Sequence, residues 1–197
     1  MLKAFVFIAC LLPAADLLWG VWQNDLGANP IETVTYASGD WALRLLLLTL
    51  AMTPLRQLIT QAWPIRLRRM LGLFVFFYAS LHFLTWLWVD QGLEWQAIVA
   101  DIIKRPYVTV GFLAWLWLLP LALTSNRWSI RRLGSYWKRL HKAVYGIGAL
   151  AVLHYLWLVK ADWLEPVIYA VTLTVLLLLR VPGILSRLLP KKSTDAR

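Results

Sequence analysis

The residues in this sequence best suited to hold a transition metal are His82, His141 and His154, with Cys10 as the one cysteine. Neutral imidazole is the commonest metal-ligating side chain and a frequent axial ligand of heme iron. A lone histidine on an apolar face is more often a structural residue than a ligand. Here all three fall within or at the edge of apolar blocks, and an ionisable group in that setting is costly and functional by default. With a single cysteine, an intramolecular disulfide, an Fe–S cluster and covalent CxxCH heme attachment are all excluded. Cys10 itself reads as a small core residue of the first helix.

The elements that must position these histidines are membrane helices. Of 197 residues, 60% are hydrophobic and 15% charged, where soluble domains run at about 45–50% and about 25%. The excess is gathered in blocks of about twenty residues, enough to cross ~30 Å of hydrocarbon. The blocks predict spans over 4–22, 42–60, 70–89, 107–124, 141–159 and 163–180. The apolar run of the first is too long for a signal peptide, and no clear cleavage site follows it. The fold class is therefore all-α, a six-helix membrane bundle over residues 1–190, with a polar tail, 191–197, expected to be disordered. No GxGxxG or P-loop is present, and no segment has room for a soluble nucleotide-binding domain.

Net charge is +10, but the bases lie between the apolar blocks as topology signals do, with no basic face for nucleic acid. Sixteen of the twenty bases fall on one side, Arg66, Arg68, Arg69, Arg131, Arg132 and Lys138 among them, and nine of the ten acids on the other. The positive-inside rule then puts both termini in the cytoplasm. Most of the thirteen tryptophans lie near span ends and read as an aromatic belt. Trp86, Trp115, Trp117 and Trp157 sit deeper, where they can line a cofactor pocket. Pro13, Pro54 and Pro120 are expected to kink their helices.

Depth pairs two of the histidines. Spans three and five run in the same direction, with His82 about twelve residues into one and His154 about fourteen into the other. At 1.5 Å per residue the depths agree within ~3 Å, in the periplasmic half, as one bis-histidine heme requires. His141 precedes His154 by thirteen residues and so lies ~20 Å closer to the cytoplasm. On an ideal helix those two are about 140° apart in phase, and Gly146 and Gly148 are candidate points of deformation. The matching positions before His82 are Arg69 and Arg68, which pair with propionates or flavin phosphate rather than ligate iron. His141 can thus serve a second heme, contact another cofactor at the cytoplasmic face, or be a plain interfacial residue. Near the periplasmic ends of adjacent spans, Asp16 and Arg44 either pair with each other, or Arg44 holds a propionate, or both are solvated rim residues.

Several stretches resemble the MsrQ family in type and order. They are Thr53-Pro54-Leu55-Arg56, Arg69-Met70-Leu71-Gly72-Leu73, Tyr78-Ala79-Ser80-Leu81-His82-Phe83 and Lys104-Arg105-Pro106-Tyr107-Val108-Thr109-Val110-Gly111. Pro120-Leu121-Ala122-Leu123-Thr124-Ser125 and Leu133-Gly134-Ser135-Tyr136-Trp137-Lys138-Arg139-Leu140-His141 complete the set, which covers about residues 40–160. The resemblance implies a ferric-reductase-like membrane domain in the bacterial inner membrane, with heme b and FMN as cofactors. It carries the heme ligands over to His82, His141 and His154, while the fourth histidine of two-heme members is absent. It also implies electrons drawn from the quinone pool or a flavin reductase, and a periplasmic molybdopterin methionine-sulfoxide reductase as acceptor. No motif here locates FMN. Two other readings compete: a heme reductase acting directly on ferric iron or oxygen, and a transporter or scaffold whose histidines bind no heme.

Overall fold

Capping and proline chemistry set the helix boundaries. Asn29 accepts from the Glu32 backbone N–H at 3.3 Å, and Pro30 stands at the first position, where its missing N–H costs nothing. Asn126 caps in the same way from Ser129 at 2.8 Å. The computed structural model describes residues 1–181 and residue 184. The helices are α1 (Leu2–Gln23), α2 (Pro30–Ile59), α3 (Trp63–Leu84), α4 (Trp95–Lys104), α5 (Pro106–Leu123), α6 (Arg127–Leu133), α7 (Ser135–Leu140), α8 (Ala143–Leu158) and α9 (Leu164–Leu178). Helix α3 runs on as a π-helical segment, Thr85–Asp90. Among the described residues there is no strand, and the fold is all-α as the sequence predicts.

Among the described residues four helical stretches are long and apolar enough to cross a membrane: Leu2–Gln23, Pro30–Ile59, Trp63–Asp90 and Pro106–Leu123. Helices α8 and α9, with 16 and 15 residues, are shorter than a full ~30 Å crossing. The outward faces are apolar: Phe5, Leu12 and Leu18 of α1 are all exposed, as lipid-facing side chains must be. The predicted 42–60 span begins a dozen positions too late, because Glu32, Thr33, Thr35, Ser38 and Asp40 dilute the apolar signal over the first turns of α2. Ser38 is nonetheless fully buried, its hydroxyl bonded to the Val34 carbonyl at 2.6 Å. The segments between predicted spans also fold in part, as α4, α6 and α7. The tail, 191–197, lies outside the described residues.

Two helix pairs form the frame: α2 packs along α3, and α5 along α8, with α3 against α5 joining them. Leu50, Leu71, Tyr78 and Ile147 are buried at their centre. Helix α1 is attached at its proline. The Tyr78 hydroxyl accepts from Ala14 N–H at 3.0 Å and donates to the Cys10 carbonyl at 2.7 Å. It thereby stands inside the bond that Ala14 and Cys10 would make in an unbroken helix. Cys10 is buried and free in that core, as its sequence context predicts. Tyr78→Phe leaves both groups to close an imperfect bond or none, and should lower stability by about 1–3 kcal/mol. Thermal unfolding in detergent checks it; a midpoint unchanged from the parent would show that the hydroxyl is dispensable.

Candidate metal centre

The two frame pairs each deliver one histidine. His82 stands near the end of α3 and His154 near the end of α8, and their ring centres are 6.0 Å apart at 81°. The His82 Nδ1 lies 2.8 Å from the Thr35 carbonyl of α2, and the His154 Nδ1 lies 2.6 Å from the Tyr107 carbonyl of α5. A carbonyl only accepts, so each Nδ1 carries the proton and donates it. Each Nε2 is left with its lone pair free for a metal. This is the orienting bond that ligating histidines ordinarily make.

The two half-sites are built alike. The interval from carbonyl residue to histidine is 47 in both, and a glycine stands one turn after each carbonyl. A helical side chain covers the turn before its own Cα, so any Cβ there would cover the carbonyl the imidazole needs. Built on Gly39, a Cβ would lie 3.0 Å from His82 Nδ1; on Gly111, 2.7 Å from His154 Nδ1. Sequence reasoning missed Thr35, Gly39, Tyr107 and Gly111. The recurring glycine-to-histidine spacing was the available signal.

The geometry fits one iron. A metal-bound imidazole nitrogen lies about 2 Å from its metal, so two rings on opposite sides of one iron have centres about 6 Å apart. Among the described residues no group of three or more His, Cys, Asp or Glu comes together. A pair of ligands alone suits an iron whose other positions a macrocycle fills, not a bare ion. Beside the pair, Phe83 stacks on Trp115 at 4.1 Å and lies near Trp86 and Phe112. Trp115 donates to Ser80 Oγ and Trp86 to Asp101, each at 3.1 Å. Trp86 and Trp115, one turn after His82 and Gly111, are thus partly buried and bonded within the bundle, whereas Trp117 and Trp157 are turned outward and exposed.

None of the remaining sequence candidates bonds to either ring of the pair among the described residues. Arg44 binds Tyr169 Oη at 2.9 Å and Asp40 at 3.2 Å, not Asp16. His141 sits at the opposite end, ~20 Å along the helix direction. Its Nε2 meets Thr124 Oγ1 at 3.1 Å, and its ring stacks on Trp137 at 4.0 Å. The α-helical bonding breaks just after His141, where the Lys142 N–H turns to the Arg139 carbonyl at 3.1 Å, between α7 and α8. The expected deformation is therefore here, and Gly146 and Gly148 lie in unbroken helix. Arg68 is half-buried near His141, while Arg69 is exposed.

Residues 38–152 match the family described as ferric reductase like transmembrane component. The chain is 54% identical over 185 residues to the protein-methionine-sulfoxide reductase heme-binding subunit MsrQ of Xanthomonas campestris pv. campestris, covering 91% of this chain and 85% of that one. Against the protein of the same name in Xanthomonas axonopodis pv. citri the identity is 53%, with the same coverage. Against that of Azospira oryzae it is 52% over 182 residues, covering 91% and 78%. No solved structure matches. With the family match covering more than half of the chain, His82 included, and relatives matched over nearly the whole chain, this protein belongs to the MsrQ family of ferric-reductase-like transmembrane components.

Proposed function

We propose that His82 and His154 hold one heme b as axial ligands and that the chain carries electrons across the bacterial inner membrane. The observation that carries the reading is the pair of imidazoles 6.0 Å apart, each with Nδ1 bonded to a carbonyl. Bound there, heme supplies a one-electron iron couple. The protein's own residues do the rest. Thr35 and Tyr107 fix the tautomer and direction of each ring and raise its basicity. Gly39 and Gly111 keep both carbonyls reachable.

The relatives' name, a heme-binding subunit of protein-methionine-sulfoxide reductase, supports a periplasmic molybdopterin methionine-sulfoxide reductase as the acceptor. The quinone pool or a cytoplasmic flavin reductase is the donor. The sixteen bases on one side support six spans with both termini cytoplasmic, α8 and α9 being the two shorter crossings of a 1–190 membrane domain. Arg44, one turn after Asp40, is the base available to a propionate at the histidine pair. Arg68 and Arg69 are those available to a propionate or the FMN phosphate at the other end. A reduced-minus-oxidised spectrum of the purified full chain tests the reading. A low-spin bis-histidine b-type signal is expected, and a heme-free protein would overturn it.

His141 serves the electron-accepting end. A cytoplasmic donor stands ~20 Å from the histidine pair, and His141, with Arg68 nearby and Thr124 on its Nε2, is the polar group between. It does so as ligand of a second heme or as a contact to flavin or quinone. His141→Ala should keep the His82–His154 heme while slowing its reduction by a physiological donor at least tenfold. Unchanged reduction kinetics at full heme content would leave His141 a structural residue.

A further inference from the structure

Between two stretches fit to cross the membrane, Trp63–Asp90 and Pro106–Leu123, the chain builds a short helix that crosses nothing. With 10 residues, α4 is ~15 Å long, half of what a crossing needs. A single extended residue, Arg105 at φ −118° and ψ 92°, separates it from Pro106, so α4 does not continue the axis of α5. The Thr109 hydroxyl, in the first turn of α5, donates to the Ile102 carbonyl at 2.5 Å. The end of α4 is thereby held at the level where α5 enters the membrane.

One side of α4 packs on the bundle. Ile98 and Asp101 are buried, and the Asp101 carboxylate accepts from Trp86 Nε1 at 3.1 Å and pairs with Arg105 at 2.9 Å. Another flank is apolar and open. Trp95, Val99 and Ile103 recur at every fourth position and so share one stripe, and Trp95 and Ile103 are each 75% exposed. With Gln96, Ala100 and Lys104 they line an open groove of about 470 Å³. Lys104 stands five residues after Val99, about 140° round the helix from it. At the same end of the bundle, Trp88, Trp157 and Trp163 are also exposed near helix ends, where indoles line the boundary of hydrocarbon and water. Trp95 extends that belt onto α4.

We infer that α4 lies flat in the membrane interface, its Trp95–Val99–Ile103 stripe seated in lipid at the headgroup–acyl boundary and Lys104 reaching up to the phosphates. Lipid then takes the place of water on apolar side chains that the protein itself leaves uncovered. On its inner side Asp101 holds Trp86, four residues after His82. The helix is a brace between the bilayer and the end of α3 that carries His82. The seat needs a bilayer but no heme, and it stands if the histidine pair binds none.

The test is spin-label accessibility on the full chain in vesicles of equal parts phosphatidylcholine and phosphatidylglycerol. Labels are placed singly at Val99→Cys, Ile103→Cys and Lys104→Cys. Cys10 is buried and stays in place, and the parent chain treated alike is the blank. Oxygen concentrates in lipid, whereas a nickel chelate stays in water. The ratio of oxygen to chelate accessibility should be about threefold or more higher at Val99→Cys and Ile103→Cys than at Lys104→Cys. Either stripe position suffices if the other variant does not fold. Equal ratios at the stripe and at Lys104→Cys would put the stripe in water, as a docking face for a soluble protein requires, and would overturn the inference.

Discussion

His82→Ala and His154→Ala should each, alone, abolish the same low-spin heme, with bound heme falling at least tenfold in the purified protein. Both rings serve one iron, so losing either removes one of only two protein ligands. The orphaned carbonyl of Thr35 or Tyr107 adds to the damage, because its imidazole donor disappears with the ligand. His141→Ala is the internal control, since its ring faces Thr124 and Trp137 at the other end. Pyridine hemochrome content together with the absorption spectrum reads all three. If either variant of the pair keeps a normal bis-histidine spectrum, the two rings do not share an iron.

The second large effect is expected at a residue that touches no cofactor. Gly111→Ala puts a methyl 2.7 Å from His154 Nδ1 and 2.9 Å from Cε1, well inside the ~3.5–4 Å of normal carbon contact. The ring has little room to yield, held as it is 2.6 Å from Tyr107 O. Overpacking of this kind costs about 1–3 kcal/mol, so heme retention should fall about tenfold. Gly39→Ala, at 3.0 Å and 3.2 Å from His82, should cost less, a few-fold. Alanine favours helix over glycine by about 1 kcal/mol, which works in the opposite direction. Heme loss with helix content kept, as seen by far-ultraviolet circular dichroism, therefore separates crowding from unfolding. Full heme content in Gly111→Ala would mean that the ring can shift and the glycine is no cradle.

Much of this arrangement was readable from residue type and periodicity. The helix centres follow the apolar blocks, and equal depth on spans running the same way was enough to bring His82 and His154 together. What depth arithmetic missed was the other half of each ligand. Thr35 and Gly39 sit in turns whose polar side chains hide a helix from any measure of apolarity, because Ser38 and Thr35 bond to their own backbone instead of water. Gly111 carries no side-chain signal at all, and its meaning appears only with the imidazole beside it. The phase conflict between His141 and His154 was legible, but its resolution was not. A break at His141–Lys142 leaves no proline or glycine at the break itself, so the sequence pointed to Gly146 and Gly148 instead. The pairing of Arg44 with Tyr169 rather than Asp16 depends on how α9 packs, which spacing along one helix cannot encode.

The hydroxyl set into α1 has a consequence for how that helix can be watched. The Ala14 amide is bonded to α3 through Tyr78 rather than to its own helix, whereas helical amides around it exchange by local fraying. Its protection from solvent deuterium therefore depends on α1 being seated against α3. Helix α1 supplies no group that bonds to the histidine pair. In exchange measurements on the folded protein, that single amide would be released when α1 undocks while most of its neighbours stay protected, making it a native gauge of how often the first helix leaves the bundle.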